Sequence, residues 1–154
     1  MRSKDRAAVS RVTFSVRRLT WHGCLISAVV LAACGPRQHE LRLISSNYAF
    51  TITSSQSPPR AREAILYKVV ARDRESRQPI ETGEGQIYAS NAERANTWDG
   101  FAKGAELGTY YGKLNFVTAG TWAVAIRFRR DSLHPLEKVE WIQDVLNERQ
   151  PAVP

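Results

Sequence analysis

The residue with the clearest chemical role is Cys34, one of two cysteines in a chain of 154 residues. It follows the small residues Ala32 and Ala33 at the end of an apolar run that also contains Cys24. A cysteine thiolate is a nucleophile that can take a lipid, and small residues before it allow an extended backbone to enter a protease groove. Since cleavage before Cys34 leaves a single thiol, we expect modification of Cys34 and no disulfide.

The first 33 residues have the three parts of a secretory signal peptide. Six basic residues precede an apolar region over residues 19–33, which ends in small side chains. The central apolar part is shorter than the roughly 18 to 20 residues needed to span a bilayer. The pattern therefore predicts a signal helix over residues 1–33 that is removed after export, rather than a permanent transmembrane helix.

Leu31-Ala32-Ala33-Cys34 resembles the lipobox of bacterial lipoproteins, in which a branched apolar residue and two small residues precede the cysteine. The resemblance implies transfer of diacylglycerol to the Cys34 sulfur and cleavage between Ala33 and Cys34 by the lipoprotein signal peptidase. Two or three acyl chains would then hold the mature chain at the membrane, at about 0.8 kcal/mol per buried methylene. Gly35 stands where an aspartate often signals retention in the inner membrane. The resemblance thus favours the periplasmic face of the outer membrane, in a host that has one.

The net charge of +7 is distributed unevenly along the chain. Six basic residues and Asp5 lie before position 34, which leaves 16 basic and 14 acidic residues in the mature part. A mature charge of about +2 implies no strong attraction to nucleic acid. We expect the partners to be membrane lipid, through acylated Cys34, and another envelope protein.

The mature part divides by composition into three segments. Residues 34–46 are polar and contain Pro36, as expected of a tether between a lipid and a domain. Residues 47–148 carry a β-strand pattern, and residues 149–154 are expected to form a flexible tail. The sequence thus predicts one all-β domain behind a lipidated cysteine.

Short apolar and polar alternation recurs along this domain. Its clearest example is 121–128, where Trp122, Val124 and Ile126 fall on one face of the predicted strand. About six or seven such strands, with polar turns and no βαβ rhythm, predict an antiparallel immunoglobulin-like β-sandwich. The residues expected in its core are Phe50, Ile52, Leu66, Val69, Ile87, Tyr111, Leu114, Phe116, Trp122, Val124, Ile126 and Trp141.

Two segments of the domain lack a clear period. Residues 91–104 are polar and rich in turn formers, so we expect a loop or a single helical turn there. Residues 136–146 fit both a helical stripe and strand alternation, and we favour a final strand of the sandwich.

The segment 108–126 contains Gly108-Thr109-Tyr110 and then Gly120-Thr121-Trp122, followed by alternating apolar residues. It resembles the C-terminal hairpin of YtkA-like and FixH-like immunoglobulin-type domains. The resemblance implies an immunoglobulin-type fold and attachment to a membrane. Some members of that group are linked to copper handling or oxidase assembly, so a metal role has to be weighed against the residues present.

Neither a metal site nor a catalytic site has a convincing set of residues. A soft copper site needs methionine, cysteine or histidine, whereas the mature part has no methionine and its histidines, His39 and His134, fall in the tether and in a turn. Nucleophilic catalysis needs a base beside the nucleophile, and neither histidine is placed for it. Glu81 and Glu84 flank Gly83, where carboxylates usually form turns. We expect no enzyme activity, no metal and no cofactor.

Aromatic residues in a polar segment are candidates for contact with a ligand. Trp98, Asp99 and Phe101 lie within the polar segment 91–104. Aromatic side chains in such a place either plug the end of a sandwich or bind something, and we favour the plug.

A basic cluster is the second candidate for an interaction surface. Arg127, Arg129 and Arg130 lie beside Asp131 at the end of a predicted strand. They predict a basic edge that faces phospholipid or an acidic partner, with a solvated edge that blocks aggregation as the simpler interpretation.

The leading hypothesis from these patterns is a non-catalytic envelope lipoprotein whose immunoglobulin-like sandwich is an interaction or accessory module. One alternative is a metallochaperone-like or oxidase-assembly accessory protein of the YtkA/FixH type. A second alternative is a carbohydrate-binding or hydrolytic sandwich, which requires Trp98, Phe101 and Asp99 to converge on an open cleft.

Overall fold

A computed structural model describes residues 39–150, and this part of the chain forms nine β-strands and no helix. The predicted signal helix over residues 1–33, the lipobox with Cys34, and residues 151–154 lie outside the described residues. The strands are β1 Leu41–Ile44, β2 Tyr48–Ser54, β3 Ala64–Asp73, β4 Glu84–Asn91, β5 Asn96–Gly100, β6 Ala102–Lys103, β7 Thr109–Asn115, β8 Gly120–Arg129 and β9 Glu137–Val145.

The strands form two sheets in which every paired neighbour is antiparallel. The first sheet has the order β1-β2-β3-β7-β6, and the second has the order β5-β4-β8-β9. The run β2-β3-β7-β6 corresponds to strands A-B-E-D of the immunoglobulin fold, and β4-β8-β9 corresponds to C-F-G. The predicted all-β, antiparallel, immunoglobulin-like sandwich is therefore confirmed, with β1, β5 and β6 as short strands beyond the expected six or seven.

The core lies between the two sheets and contains most of the predicted residues. On β8, Trp122, Val124, Ile126 and Phe128 are completely buried, as the alternation predicted. The other predicted core residues that are buried are Phe50, Ile52, Val69, Ile87, Leu114 and Phe116.

Two predicted core residues, Leu66 and Tyr111, were assigned one position out of register. Leu66 is 45% exposed, and its neighbours Ile65 and Tyr67 face the core instead. Tyr110 is buried, whereas Tyr111 is only partly covered. These runs place large apolar residues at consecutive positions, so alternation alone does not choose a face, and a shift by one residue reverses every side chain.

Trp141, also predicted in the core, is half-buried at its margin. It lies on β9, an edge strand of the second sheet, and its ring contacts that of Tyr67 with centroids 6.2 Å apart. An edge strand covers its inner side chains from one side only, which accounts for the partial exposure.

Short edge strands replace two segments that were predicted to be irregular. Leu41–Ile44, within the predicted tether over residues 34–46, is β1 and pairs with β2. Residues 91–104, predicted as a loop or helical turn, contain β5 and β6. Both predictions are wrong because these edge strands are only two to five residues long, and so short a run, with most of its side chains polar or exposed, gives little periodic signal in the sequence. The final strand favoured over residues 136–146 is confirmed as β9.

The buried hydroxyl of Tyr110 joins the first sheet to the chain that leads into the second. It donates a hydrogen bond to the Ile80 carbonyl at 2.5 Å and accepts one from the Gly83 N–H at 2.8 Å. Burial raises the pKa of Tyr110, so the hydroxyl remains a donor at physiological pH. Tyr67 is equally buried, yet its hydroxyl has no hydrogen-bond partner among the described residues.

These two tyrosines provide a matched pair of substitutions. Tyr110→Phe leaves the Gly83 N–H and the Ile80 carbonyl buried without partners, so we expect the free energy of unfolding to fall by about 2 to 4 kcal/mol. Tyr67→Phe removes a hydroxyl that makes no bond, so we expect a change of less than about 1 kcal/mol, or a slight gain. Urea denaturation of both variants measures the difference, and equal losses would contradict the assigned role of Tyr110.

Candidate functional site

The outer surface of the four-stranded sheet carries an exposed aromatic and basic cluster. Ile87 of β4 is buried in the core, so its neighbour Tyr88 points outward. Tyr88 lies opposite Trp98 on β5 and Ala125 on β8. Trp98 is 68% exposed, and the guanidinium of Arg127, on the same side of β8, lies 5.2 Å from the centroid of the Tyr88 ring.

An open groove of about 440 Å³ lies along this surface. Its volume falls within the range of about 300 to 1,000 Å³ that is usual for small-molecule sites. Amide and hydroxyl side chains of β4 and β5 border the aromatic rings. We call this surface the aromatic face, and it consists of Tyr88, Trp98 and Arg127 with the polar residues Gln86, Ser90 and Asn96.

Arg127 is the uncompensated charge of the aromatic face. Arg129, two residues farther along β8, donates to a Glu84 carboxylate oxygen at 2.6 Å. Lys138, opposite Arg127 on β9, is paired with Glu140, and this hydrogen bond raises the pKa of Lys138. Within residues 39–150, Arg127 itself forms no ion pair. Of the cations Arg127, Arg129 and Lys138 on this surface, Arg127 is thus the one without a carboxylate partner among the described residues.

The predicted basic edge is wrong, because β8 lies between β4 and β9 and is not an edge strand. Arg130 donates to an Asp73 carboxylate oxygen at 2.7 Å, and Asp131 is bonded to His134. Hydrogen bonds from the Ser76 backbone and side chain, and then from Arg130, lower the pKa of Asp73 to about 2. Arg130 is thus engaged in holding a turn, and it does not form one surface with Arg127.

The structure separates Trp98, Asp99 and Phe101, which the sequence offered as one candidate site. Trp98 and Asp99 are consecutive on β5, so Trp98 points outward, while the Asp99 carboxylate turns away and accepts a hydrogen bond from the Lys113 N–H at 2.8 Å. Phe101 is half-buried, and its ring lies 6.1 Å from that of Tyr110. The plug prediction is therefore wrong for Trp98 and holds for Phe101, and the three side chains do not converge on one cleft.

Tyr88 is the aromatic residue of this face that was not among the candidates predicted from the sequence, and the polar residues Gln86, Ser90 and Asn96 were not among them either. Its position in the strand containing Ile87 carried a usable signal, since alternation places the two residues on opposite faces. The contact with Arg127 carried no such signal, because it depends on the pairing of β4 with β8.

The other candidate residues are dispersed over the described part of the chain. His39 borders a groove between β1 and β9, whereas His134 lies in the turn that follows β8. Glu84 is bonded to Arg129, and Glu81 is exposed. Among residues 39–150, no three His, Cys, Asp or Glu side chains cluster as a metal would require, and no helix there has the length and apolarity to cross a membrane.

No protein-family model, curated protein or solved structure matches this chain.

The contrast between Trp98 and Trp122 separates a surface role from a core role. We expect Trp98→Ala to lower the free energy of unfolding by at most about 1 kcal/mol, since the side chain is 68% exposed and can lose little more than a cross-strand interaction. Trp122 is completely buried, so Trp122→Ala should cost about 3 to 5 kcal/mol. Chemical denaturation of both variants tests this difference, and a core-sized loss for Trp98→Ala would assign that residue to stability.

Proposed function

We propose that this protein is a non-catalytic bacterial envelope lipoprotein whose immunoglobulin-like domain binds a ligand on the aromatic face. The observation that carries the proposal is the 68% exposure of Trp98 beside Tyr88 and Arg127. An exposed tryptophan contributes little to stability, and here it lies beside a second aromatic residue and a guanidinium group, a combination of residue types typical of binding surfaces.

The residue types of the aromatic face support a binding role. Trp, Tyr and Arg contribute most to the binding energy of protein interfaces, because each combines a large contact area with directional hydrogen bonding. Here one residue of each type lies within a single groove on a rigid sheet. A site carried by paired strands keeps its geometry better than a site carried by loops.

The lipobox Leu31-Ala32-Ala33-Cys34 supports the proposed anchor. The domain begins at Leu41 with β1, so six residues separate the first strand from Cys34. An extended chain of this length spans at most about 25 Å. Lipid on Cys34 would therefore keep the domain close to the membrane surface, where its ligand would be another envelope component.

The anchor is tested by the mass of the protein from the membrane fraction of a bacterial host. We expect the mass of residues 34–154 plus two or three acyl chains, because a lipobox cysteine is both the lipid acceptor and the new N-terminus. Cys34→Ala should abolish lipidation, whereas Cys24→Ala, inside the apolar run, should leave it intact. An uncleaved and unlipidated chain in the cytosol would refute the proposed anchor.

The binding role is tested by hydroxyl-radical labelling of the protein in bacterial envelopes and after purification. If a ligand covers the aromatic face in the envelope, Trp98 should be labelled several-fold more slowly there than in the purified protein. Leu133 is 92% exposed in the turn after β8 and serves as the internal control, with equal labelling in both samples. Equal labelling of Trp98 in both samples would contradict the proposal.

A further inference from the structure

We infer that the ligand of the aromatic face is a saccharide that carries a carboxylate, with sugar rings packed on Trp98 and Tyr88 and the carboxylate bound by Arg127. The inference rests on the proposed function and specifies the ligand class of that surface. It does not use the cleft expected of Trp98, Phe101 and Asp99, which is not formed; Tyr88 and Arg127 line the groove with Trp98 instead. Its basis is a single open groove that contains two outward-facing aromatic side chains, polar side chains at its border and one cation without an ion-pair partner among the described residues.

The two aromatic rings favour a ligand with flat apolar surfaces and no bulky side chain. Tyr88 and Trp98 are direct cross-strand partners, and adjacent strands lie about 4.8 Å apart. Both side chains therefore project from neighbouring positions of one open sheet surface and line the same groove rather than enclosing a deep pocket. The C–H face of a sugar ring is apolar and packs against such a ring, while the hydroxyl groups at its margin stay free for hydrogen bonds.

The border of the groove matches those hydroxyl groups. Gln86 and Asn96 carry amides, and Ser90 carries a hydroxyl, so each side chain can donate and accept hydrogen bonds. Sugar hydroxyls have the same double capacity. An apolar ligand would cover these groups without satisfying them, at a cost in free energy for each one.

The charge of the groove indicates which acidic group the ligand carries. Arg129 and Lys138, the nearest cations on the same surface, are paired with Glu84 and Glu140. This leaves the single positive charge of Arg127, which matches the single negative charge of a carboxylate. A guanidinium also binds a carboxylate through two parallel hydrogen bonds, which fixes the orientation of the ligand.

Two other classes of acidic ligand fit the surface less well. A nucleic acid chain is bound through many phosphate contacts, and one unpaired arginine does not supply them. An extended peptide would gain most of its affinity from main-chain hydrogen bonds to a free strand edge, such as that of β5, and would have no need of the outward rings.

The inference is tested by calorimetric titration of the mature lipoprotein, purified from membranes in detergent. The probes are trigalacturonate as the acidic saccharide, cellotriose as the neutral one and tetraglutamate as an acidic peptide. We expect trigalacturonate to bind more tightly than either of the other two. Trp98→Ala and Arg127→Gln should each weaken its binding about 5- to 30-fold, the range typical of such anchor residues. Arg129→Gln, which alters a paired arginine on the same strand, should leave it unchanged.

Three outcomes would overturn the inference. If cellotriose binds as tightly as trigalacturonate, the ligand does not need a carboxylate. If trigalacturonate does not bind, the ligand is not an acidic saccharide. If tetraglutamate binds more tightly than trigalacturonate, and Trp98→Ala abolishes that binding, the aromatic face is still the binding surface but its ligand is an acidic protein segment. Failure of the proposed function itself has a different signature, namely equal labelling of Trp98 in envelopes and in the purified protein.

Discussion

The arrangement of the two sheets depends on the two hydrogen bonds made by the Tyr110 hydroxyl. The hydroxyl binds the Ile80 carbonyl and the Gly83 N–H, in the chain between β3 and β4, and thereby sets where β4 enters the second sheet. The Phe128 ring packs edge-on against Tyr110, with centroids 5.1 Å apart. A side chain at Gly83 would overlap this ring and would lie 2.7 Å from the Tyr110 oxygen, so only glycine allows the connection to pass. β4 begins at the next residue, Glu84, and pairs with β5 and β8 to form the aromatic face.

A second constraint explains why Trp98 is exposed. The edge of β7 extends beyond the two residues of β6, and its backbone donors at Lys113 and Asn115 need partners. The side chains of Asp99 and Thr97 on β5 accept those hydrogen bonds, at 2.8 and 3.2 Å. Because alternate residues of a strand face opposite ways, a strand that turns Thr97 and Asp99 toward the first sheet must turn Trp98 outward. The outward direction of position 98 is thus a consequence of how the sandwich protects its open edge, whereas the presence of a tryptophan at that position is not.

The proposed anchor and the proposed binding surface are connected by the geometry of the first strand. Leu41–Ile44 pairs with β2, so the first strand begins seven residues after the proposed lipid attachment site at Cys34. With lipid on Cys34, the six intervening residues would restrict the domain to the neighbourhood of the membrane and would raise the local concentration of a ligand that is itself part of the envelope. Weak contacts by a few aromatic and charged side chains would then be sufficient for the proposed binding, in agreement with an open groove rather than a deep pocket.

The amino-acid sequence by itself determined the features that depend on residues close together in the chain. The lipobox pattern around Cys34 and the fold class are of this kind. The inward face of β8 is another example, because the large apolar residues of the Trp122 segment alternate and so can all be buried on only one face. Where apolar residues are adjacent, as at Leu66 and Tyr111, only pairing with another strand decided which of them is buried. The aromatic face was likewise decided by tertiary structure, since Tyr88, Trp98 and Arg127 meet through cross-strand register, and no local pattern encodes which strands become neighbours.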